Sequence, residues 1–399
     1  MNHSKTFNFI RLMPLILALL LQACSIPTRT PSVPVKLTEK AQIQGMPNIR
    51  YFVGGDMSQF MVDAKQSMAS EMAYLAKTNQ TGALSPVNFL AISGGGDNGA
   101  FGAGLLCGWT DAGNRPEFKL VTGISTGALI APFAFLGSKY DAQLKHFYTN
   151  ISSADILEER NVTAAVYDDG LADNFPLWSL LEKNITAEML HEIALEYEKG
   201  RILLVATTNL DSQQPVIWNM TKIAAIGTPK ALDLFRKLMM ASAAIPGAFP
   251  PSMIDVEIDG KPYQEMHVDG GGSAQVFVYP PSYNLKKEAE KSGVERERHL
   301  YVIRNSPLSA QWEEVERRTL TIAGKAIQSL IRTQGIGDLY RIYLTAQRDG
   351  VDYNLAYIPA SFDFPHKEEF DTAFMRALFK NGYDAAVKGY PWDKTPPGF

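Results

Sequence analysis

From residue 87 onward, apolar and polar positions follow two alternating patterns. Short β-branched or apolar runs predict strands at 87–93, 118–124, 201–210, 215–220, 263–269 and 299–305. Longer segments with helical spacing lie between several of them, such as FGAGLLCGWTDAG and ALDLFRKLMMASA. Strands that alternate with helices predict an α/β fold with a mainly parallel central sheet covered by helices on both faces.

The regions on either side of this pattern differ from it. Residues 24–86 are interpreted as a proline-rich tether and an N-terminal extension, with a helix predicted through MVDAKQSMASEMAYLAK. Residues 311–399 are predicted to be mainly helical and to pack on the α/β domain at 87–310.

The first 23 residues have the pattern of a signal peptide. Basic residues precede the apolar run LMPLILALLL, which is too short to span a bilayer as a helix. The following LQAC resembles the lipobox of bacterial lipoproteins, which implies that Cys24 is lipidated and becomes the new N-terminus. Ser25 then favours a lipid anchor in the outer membrane of the bacterial cell envelope, facing the periplasm. A simple secretory signal is the alternative.

Composition narrows the function classes. The 399 residues are 46% hydrophobic with a net charge of −4, and no basic stretch stands out, which argues against a nucleic-acid partner. Only two cysteines occur. If Cys24 carries the anchor, Cys107 has no partner, so we expect no disulfide and a buried, inert thiol.

A glycine-rich loop joins the first strand to a small-residue helix in NFLAISGGGDNGAFGAGLL. Gly94, Gly96 and Gly99 match G-x-G-x-x-G, so a nicotinamide-binding loop is one interpretation, although the acid expected at the end of the second strand is missing. The loop can instead present backbone N–H groups to a phosphate or an oxyanion. A loop that serves only close packing is a further alternative.

The second strand runs into GISTG (123–127), the pattern of a nucleophile elbow that exposes Ser125. A serine hydroxyl needs a base. His267, His299 and His366 all follow it in the chain, so a triad stays open, although none has a favourable local context. Asp269, which ends an apolar strand and precedes glycines, is the stronger candidate for the base. The alternative is that Asp269 only shapes a turn.

Together these motifs resemble the patatin-like phospholipases. The resemblance rests on GGGDNG (94–99), GISTG (123–127) and DGG (269–271), in the family's order, and on ASAAIPGAFPP (241–251). It covers about 87–310, and RTQGIGDLYRIY extends it less distinctively. It implies a three-layer α/β/α patatin-like fold with a Ser–Asp dyad.

The resemblance also implies a role for each matching residue. Ser125 would be the nucleophile, Asp269 the general base, and the oxyanion hole would lie along the glycine loop with help from the next turn. The supporting positions are Gly94, Gly95, Gly96, Asn98, Gly99 and Thr126 for the oxyanion hole, Gly123 and Gly127 for the elbow, and Gly270 and Gly271 for the DGG motif. Asn98 stands where many members carry a basic residue, which puts any role of that cation in doubt.

The expected activity is therefore hydrolysis of acyl esters of lipids through an acyl-serine, as in a phospholipase A or lipid esterase, with no cofactor and no metal. Asp168, Asp169 and Asp173 offer too few oxygen ligands for calcium and are interpreted as a loop. The alternatives are a nicotinamide-dependent oxidoreductase and a non-catalytic envelope lipoprotein. The sequence does not define an oligomeric state.

Overall fold

The computed structural model describes residues 29–80, 84–160, 169–310, 312 and 314–399. The α-helices in these ranges are α1 (Ser58–Lys77), α2 (Gly99–Asp111), α3 (Thr126–Leu136), α4 (Asp141–Thr149), α5 (Phe175–Asn184), α6 (Ala187–Glu198), α7 (Met220–Ile226), α8 (Pro229–Ser242), α9 (Leu285–Ser292), α10 (Thr319–Asp349) and α11 (Thr372–Val387). The strands are β1 (Arg50–Phe52), β2 (Val87–Ile92), β3 (Leu120–Gly123), β4 (Glu158–Glu159), β5 (Ala172–Asp173), β6 (Ile202–Asn209), β7 (Gln214–Asn219), β8 (Ser252–Ile258), β9 (Lys261–Asp269), β10 (Arg298–Pro307) and β11 (Asp352–Ile358).

A central sheet runs in the order β1-β7-β6-β3-β2-β10-β11, and β9 joins β6 and pairs with β8. Strands β6, β3, β2, β10 and β11 pair in parallel. Strands β1, β7, β8 and β9 add antiparallel pairings. Because β2 and β3 are parallel neighbours, the loop after β2 and the turn after β3 lie at the same carboxyl edge of the sheet.

Apolar side chains cover both faces of the sheet. Along β2, Leu90 and Ile92 join the core that contains α2 and α3. Phe89 and Ala91 alternate to the other face, in the core that contains residues of α1 and α10. This confirms the predicted α/β architecture, a mostly parallel sheet with helices on both sides.

All six strands predicted from apolar runs are present, and so is the helix predicted in the N-terminal extension. Strands β1, β4, β5, β8 and β11 were not predicted. In β8 the buried and less buried positions alternate strictly, so IDVEI was a usable signal for a strand. Strand β11 is mostly buried and carries the polar residue Asn354 within its run. Strand β11 extends the sheet within a region predicted to be mainly helical.

The C-terminal helix α11 packs along α2, the helix that follows the glycine loop. No helix in the described ranges combines the length and the hydropathy needed to cross a membrane. The signal peptide, Cys24 and the start of the tether lie outside the described residues, and the predicted domain boundaries stay predictions.

A buried ion pair fastens the edge strand β1 to β9. Arg50 Nη1 lies 2.6 Å from Glu265 Oε2, and His267 Nε2 lies 3.0 Å from the same oxygen. Burial opposes ionisation of Glu265, but Arg50 and His267 outweigh it, so the pKa of Glu265 lies below its ordinary value. Strand β9 ends at Asp269, so this pair supports the strand that carries the candidate base.

We expect Glu265→Gln to lower the free energy of unfolding by about 3 kcal/mol, because it leaves the Arg50 guanidinium buried without a counter-ion. Denaturant midpoints would measure the change. Glu290→Gln, at an exposed position, is the matched control and should change little. A Glu265→Gln variant as stable as the control would contradict this assignment.

Candidate active site

Ser125 lies on a strained turn between β3 and α3. Its backbone has φ 55° and ψ −127°, a conformation that a residue with a side chain adopts only under constraint. The constraint is close packing: a Cβ on Gly123 would lie 2.3 Å from the Gly127 carbonyl oxygen, and one on Gly127 would lie 2.3 Å from that of Ile92. Both glycines of GISTG are therefore required by the geometry of the turn.

Asp269 reaches this turn at the end of β9, which runs along β6 in the direction opposite to β3. On one side of β6, β3 pairs in parallel up to Gly123 opposite Val205. Strand β7 occupies the other side of β6, so β9 pairs on the same side as β3. It pairs antiparallel and ends with Asp269 opposite Thr207. The carboxyl ends of β3 and β9 thus converge, with only one residue of β6, Ala206, and about 7 Å between their last pairs.

The two side chains meet at this convergence. The Ser125 hydroxyl lies beside the Asp269 carboxylate, close enough to lower its pKa, and the N–H of Gly271 donates to Asp269 Oδ1 at 2.6 Å. Gly270 admits no side chain, because a Cβ there would lie 2.5 Å from the Ala206 carbonyl oxygen. Strand β9 thus brings Asp269 end to end with β3, on one side of β6.

Burial raises the pKa of Asp269 to about 6, and the hydrogen bonds from Ser125 and Gly271 offset only part of this effect. The carboxylate is therefore a better base than an exposed aspartate and is still ionised at neutral pH. Both properties suit a group that accepts a proton from a serine hydroxyl.

Three backbone N–H groups beside Ser125 have no hydrogen-bond acceptor within the described part of the chain: those of Gly95, Gly96 and Thr126. The loop backbone at Gly95 and Gly96 has φ 157° and 59°, in the region that favours glycine. Thr126 begins α3, where the helix dipole favours negative charge. This set can donate to an oxyanion.

The other three positions assigned to the oxyanion hole have engaged N–H groups. Gly94 donates to the Gln275 carbonyl oxygen at 3.1 Å and Asn98 donates to that of Gly95 at 3.1 Å. Gly99 donates to the carbonyl oxygens of Gly96 and Asp97. These residues shape the loop, and their N–H groups are not available to a ligand in this geometry.

Several residues that sequence reasoning missed hold the two loops in place. Ser242 Oγ accepts a hydrogen bond from the Ser125 N–H at 3.0 Å and donates to the Ala206 carbonyl oxygen at 2.7 Å. Gln275 connects the glycine loop to the DGG loop, because its Nε2 also donates to the Gly271 carbonyl oxygen at 2.8 Å. Ser242 lies within ASAAIPGAFPP, so the sequence offered a signal for its place near the site. No sequence motif marked Gln275.

Asn305 and Asp97 fix the glycine loop from its other side. Asn305, at the carboxyl end of β10, donates from Nδ2 to the Ser93 carbonyl oxygen at 3.0 Å. The buried carboxylate of Asp97 accepts hydrogen bonds from His366 Nε2 at 2.7 Å and from the Phe370 N–H at 3.0 Å. The C-terminal region therefore contributes to the site, although it lies far from the motifs in sequence.

None of the three candidate histidines is hydrogen-bonded to Ser125 or Asp269. His267 is buried between Thr207 and Glu265, and burial lowers its pKa. His299 bonds to Asp352, and His366 bonds to Asp97. Across the described ranges, the group next to the Ser125 hydroxyl is a carboxylate rather than an imidazole.

Other candidate groups lie elsewhere. Within the part of the chain that the structure describes, no cluster of three or more His, Cys, Asp or Glu residues could hold a metal ion. Asp169 and Asp173 face Arg160 at 3.7 and 2.9 Å, and Asp168 lies outside the described residues. Cys107 is buried, which raises its pKa to about 12 and keeps the thiol protonated. A cavity of about 400 Å³ lies at the amino edge of the sheet, away from Ser125, beside Val87, Leu120 and Ile202.

A serine on a strand–helix elbow, an aspartate against its hydroxyl and free N–H groups beside it give the geometry of a serine hydrolase site. Residues 90–280 of the chain match the family model of the patatin-like phospholipases. This match supports lipid acyl hydrolase activity in general.

Individual relatives add little to the family match. No curated protein matches the chain. Among solved structures, VipD from Legionella pneumophila is similar at 13% identity and a TM-score of 0.38, over 77% of this chain and 67% of that chain. At that TM-score the likeness is distant, and nothing about this chain follows from it.

The raised pKa of Asp269 predicts a pH dependence of stability. A folded-state pKa of about 6 against an ordinary value of 3.8 means that the folded protein binds this proton more tightly than the unfolded chain. Its contribution to stability is therefore full below about pH 4 and is lost as the pH rises through about 6. From these two values, wild type should lose about 3 kcal/mol relative to Asp269→Asn between pH 4 and pH 8.

Urea unfolding of both proteins across this pH range would measure the difference in their free energies of unfolding. Taking this difference cancels the contributions of the titrating groups that the two proteins share. Parallel pH profiles for wild type and Asp269→Asn would contradict the burial of this carboxylate.

Proposed function

We propose that this protein is a serine acyl hydrolase of the phospholipase A or lipid esterase type. It cleaves carboxylic ester bonds of lipids with Ser125 as nucleophile and Asp269 as general base. The observation that carries the proposal is the Ser125 hydroxyl beside a buried, basic carboxylate, next to unengaged N–H groups. The family match over 90–280 supports the lipid substrate class.

In the first half-reaction, Ser125 Oγ attacks the ester carbonyl carbon while Asp269 takes the hydroxyl proton. The carbonyl oxygen becomes an oxyanion that accepts hydrogen bonds from the N–H groups of Gly95, Gly96 and Thr126. When the tetrahedral species collapses, the alcohol leaves with the proton held by Asp269 and the acyl group stays on Ser125.

In the second half-reaction, Asp269 takes a proton from water as the water oxygen attacks the acyl-serine carbonyl carbon. The same N–H groups stabilise the second oxyanion. Collapse returns the proton to Ser125 Oγ and releases the fatty acid. One carboxylate thus serves as base and acid in both halves, and the mechanism requires no histidine.

A serine-reactive fluorophosphonate probe should label wild type and fail to label Ser125→Ala. Asp269→Asn should keep the fold and lower turnover of a lipid ester by about 10²–10⁴-fold, the contribution of a general base. His267→Gln is a matched control at a buried residue of the same strand that should retain most of the turnover. An inactive His267→Gln that folds normally, with an active Asp269→Asn, would overturn the dyad.

Turnover should fall about tenfold per pH unit below about pH 6, because protonated Asp269 cannot accept the serine proton. Initial rates on a water-soluble ester across pH 4–8 would measure this. A plateau that extends to pH 4 would contradict Asp269 as the base.

We also propose that Cys24 carries a diacylglyceryl anchor that holds the protein at the outer membrane, facing the periplasm. The support is the LQAC segment, the apolar run before it and the proline-rich tether after it. Metabolic labelling with palmitate should label wild type and not Cys24→Ser. Equal labelling of the two proteins would contradict the proposed anchor.

A further inference from the structure

Helix α10 has two halves with different surroundings. In its second half, Leu339, Tyr343 and Ala346 are buried against the sheet. The first half, residues 319–331, projects from the body: Leu330 is 69% exposed, Ile322 52% and Ile327 51%. An isolated helix of this length is only marginally stable in water. Its exposed apolar side chains are typical of a helix that is covered by a membrane or by another protein.

The projecting half-helix is amphipathic. At about 100° per residue, its apolar residues share one face: Ile322, Ala323, Ala326, Ile327, Leu330 and Ile331. The opposite face carries Thr321, Lys325 and Gln328, and Arg332 follows on the same side, where it donates to the Leu308 carbonyl oxygen at 3.2 Å. Residues 319–337 contain no Asp or Glu, so this segment is positively charged. An apolar face opposite a polar face on a positively charged segment is the pattern of helices that lie in the plane of a membrane surface.

The half-helix ends beside the candidate active site, where the rest of α10 contacts it. Gln334 Nε2 donates to the Ser273 carbonyl oxygen at 2.5 Å, and the Asp338 carboxylate accepts from the Gln275 N–H at 2.6 Å. Both partners lie in the segment that follows Asp269. Just before the helix, Trp312 is 89% exposed, a residue type favoured at membrane interfaces.

We propose that residues 319–331 dock into the surface of a bilayer that contains anionic phospholipids. Its apolar face enters the acyl boundary and its polar face stays at the level of the headgroups, so the carboxyl edge of the sheet lies against the lipid. The docking is independent of catalysis; its use, delivery of lipid to Ser125, rests on the proposed function.

The first test places an environment-sensitive NBD label on either face of the half-helix in the full chain. The background is Ser125→Ala, so that vesicles stay intact, with Cys24→Ser to remove acylation; Cys107 is buried and does not compete for the label. Leu330→Cys reports the apolar face, and Gln328→Cys is the matched control on the polar face.

Vesicles of phosphatidylglycerol and phosphatidylcholine should shift the emission at 330 to the blue and leave 328 as in water, with a weaker effect on phosphatidylcholine alone. No shift at 330, or equal shifts at both positions, would overturn the proposal. A shift at 330 that grows with protein concentration without vesicles would instead assign the face to a second copy of this chain.

The second test measures hydrolysis in the full chain with Ser125 intact. The double variant Ile327→Ser with Leu330→Ser should hydrolyse vesicle phospholipid at least about tenfold more slowly, from lost apolar burial. It should match wild type on a water-soluble short-chain ester, and Gln328→Ser should match wild type on both.

Equal losses on the two substrates, or no loss on either, would overturn docking as the role of this face. If wild type hydrolyses neither substrate, the proposed function fails, while the NBD label still decides whether the half-helix enters the bilayer.

Discussion

The withdrawal of one carboxylate from water is the constraint on which the site depends. Asp269 is buried beside a serine hydroxyl, and a backbone N–H donates to its carboxylate. Burial disfavours its charge, so the surrounding structure has to hold it in place, and the same burial makes it basic enough to act on a hydroxyl. The strained turn at Ser125 is a second unfavourable feature stabilised by its surroundings. Stability and reactivity are therefore opposed at this point of the fold.

The surrounding residues resist both kinds of strain through hydrogen bonds between elements that are distant in sequence. Gln275 ties the glycine loop to the DGG loop, and Ser242 holds the backbone of Ser125. His366 and Phe370 hold Asp97 from the C-terminal region. Each contact fixes a loop at the carboxyl edge of the sheet, so an oxyanion would meet donors that are already oriented.

The motifs predicted the catalytic candidates better than the residues that hold them in place. GISTG needs two glycines around a strained serine, and DGG needs a glycine after its aspartate. Such local requirements can be recognised in a sequence. The six strands followed from apolar runs for the same reason. Gln275, Asn305 and the link from Asp97 to His366 depend on which strands become neighbours, and no local pattern encodes that. The engaged N–H groups of Gly94, Asn98 and Gly99 likewise follow from three-dimensional loop geometry.

The end-to-end arrangement of β3 and β9 on one side of β6 has a consequence for how such a chain can diverge. The separation between nucleophile and base is measured along β6, from Val205 to Thr207. Segments inserted into the long connections between β3 and β6 and between β7 and β8 therefore leave that separation unchanged. A single residue inserted between Val205 and Thr207 would move the two strand ends apart and reverse the facing of one of them. Tolerance to length change should be high in the loops and lowest at this short stretch of backbone.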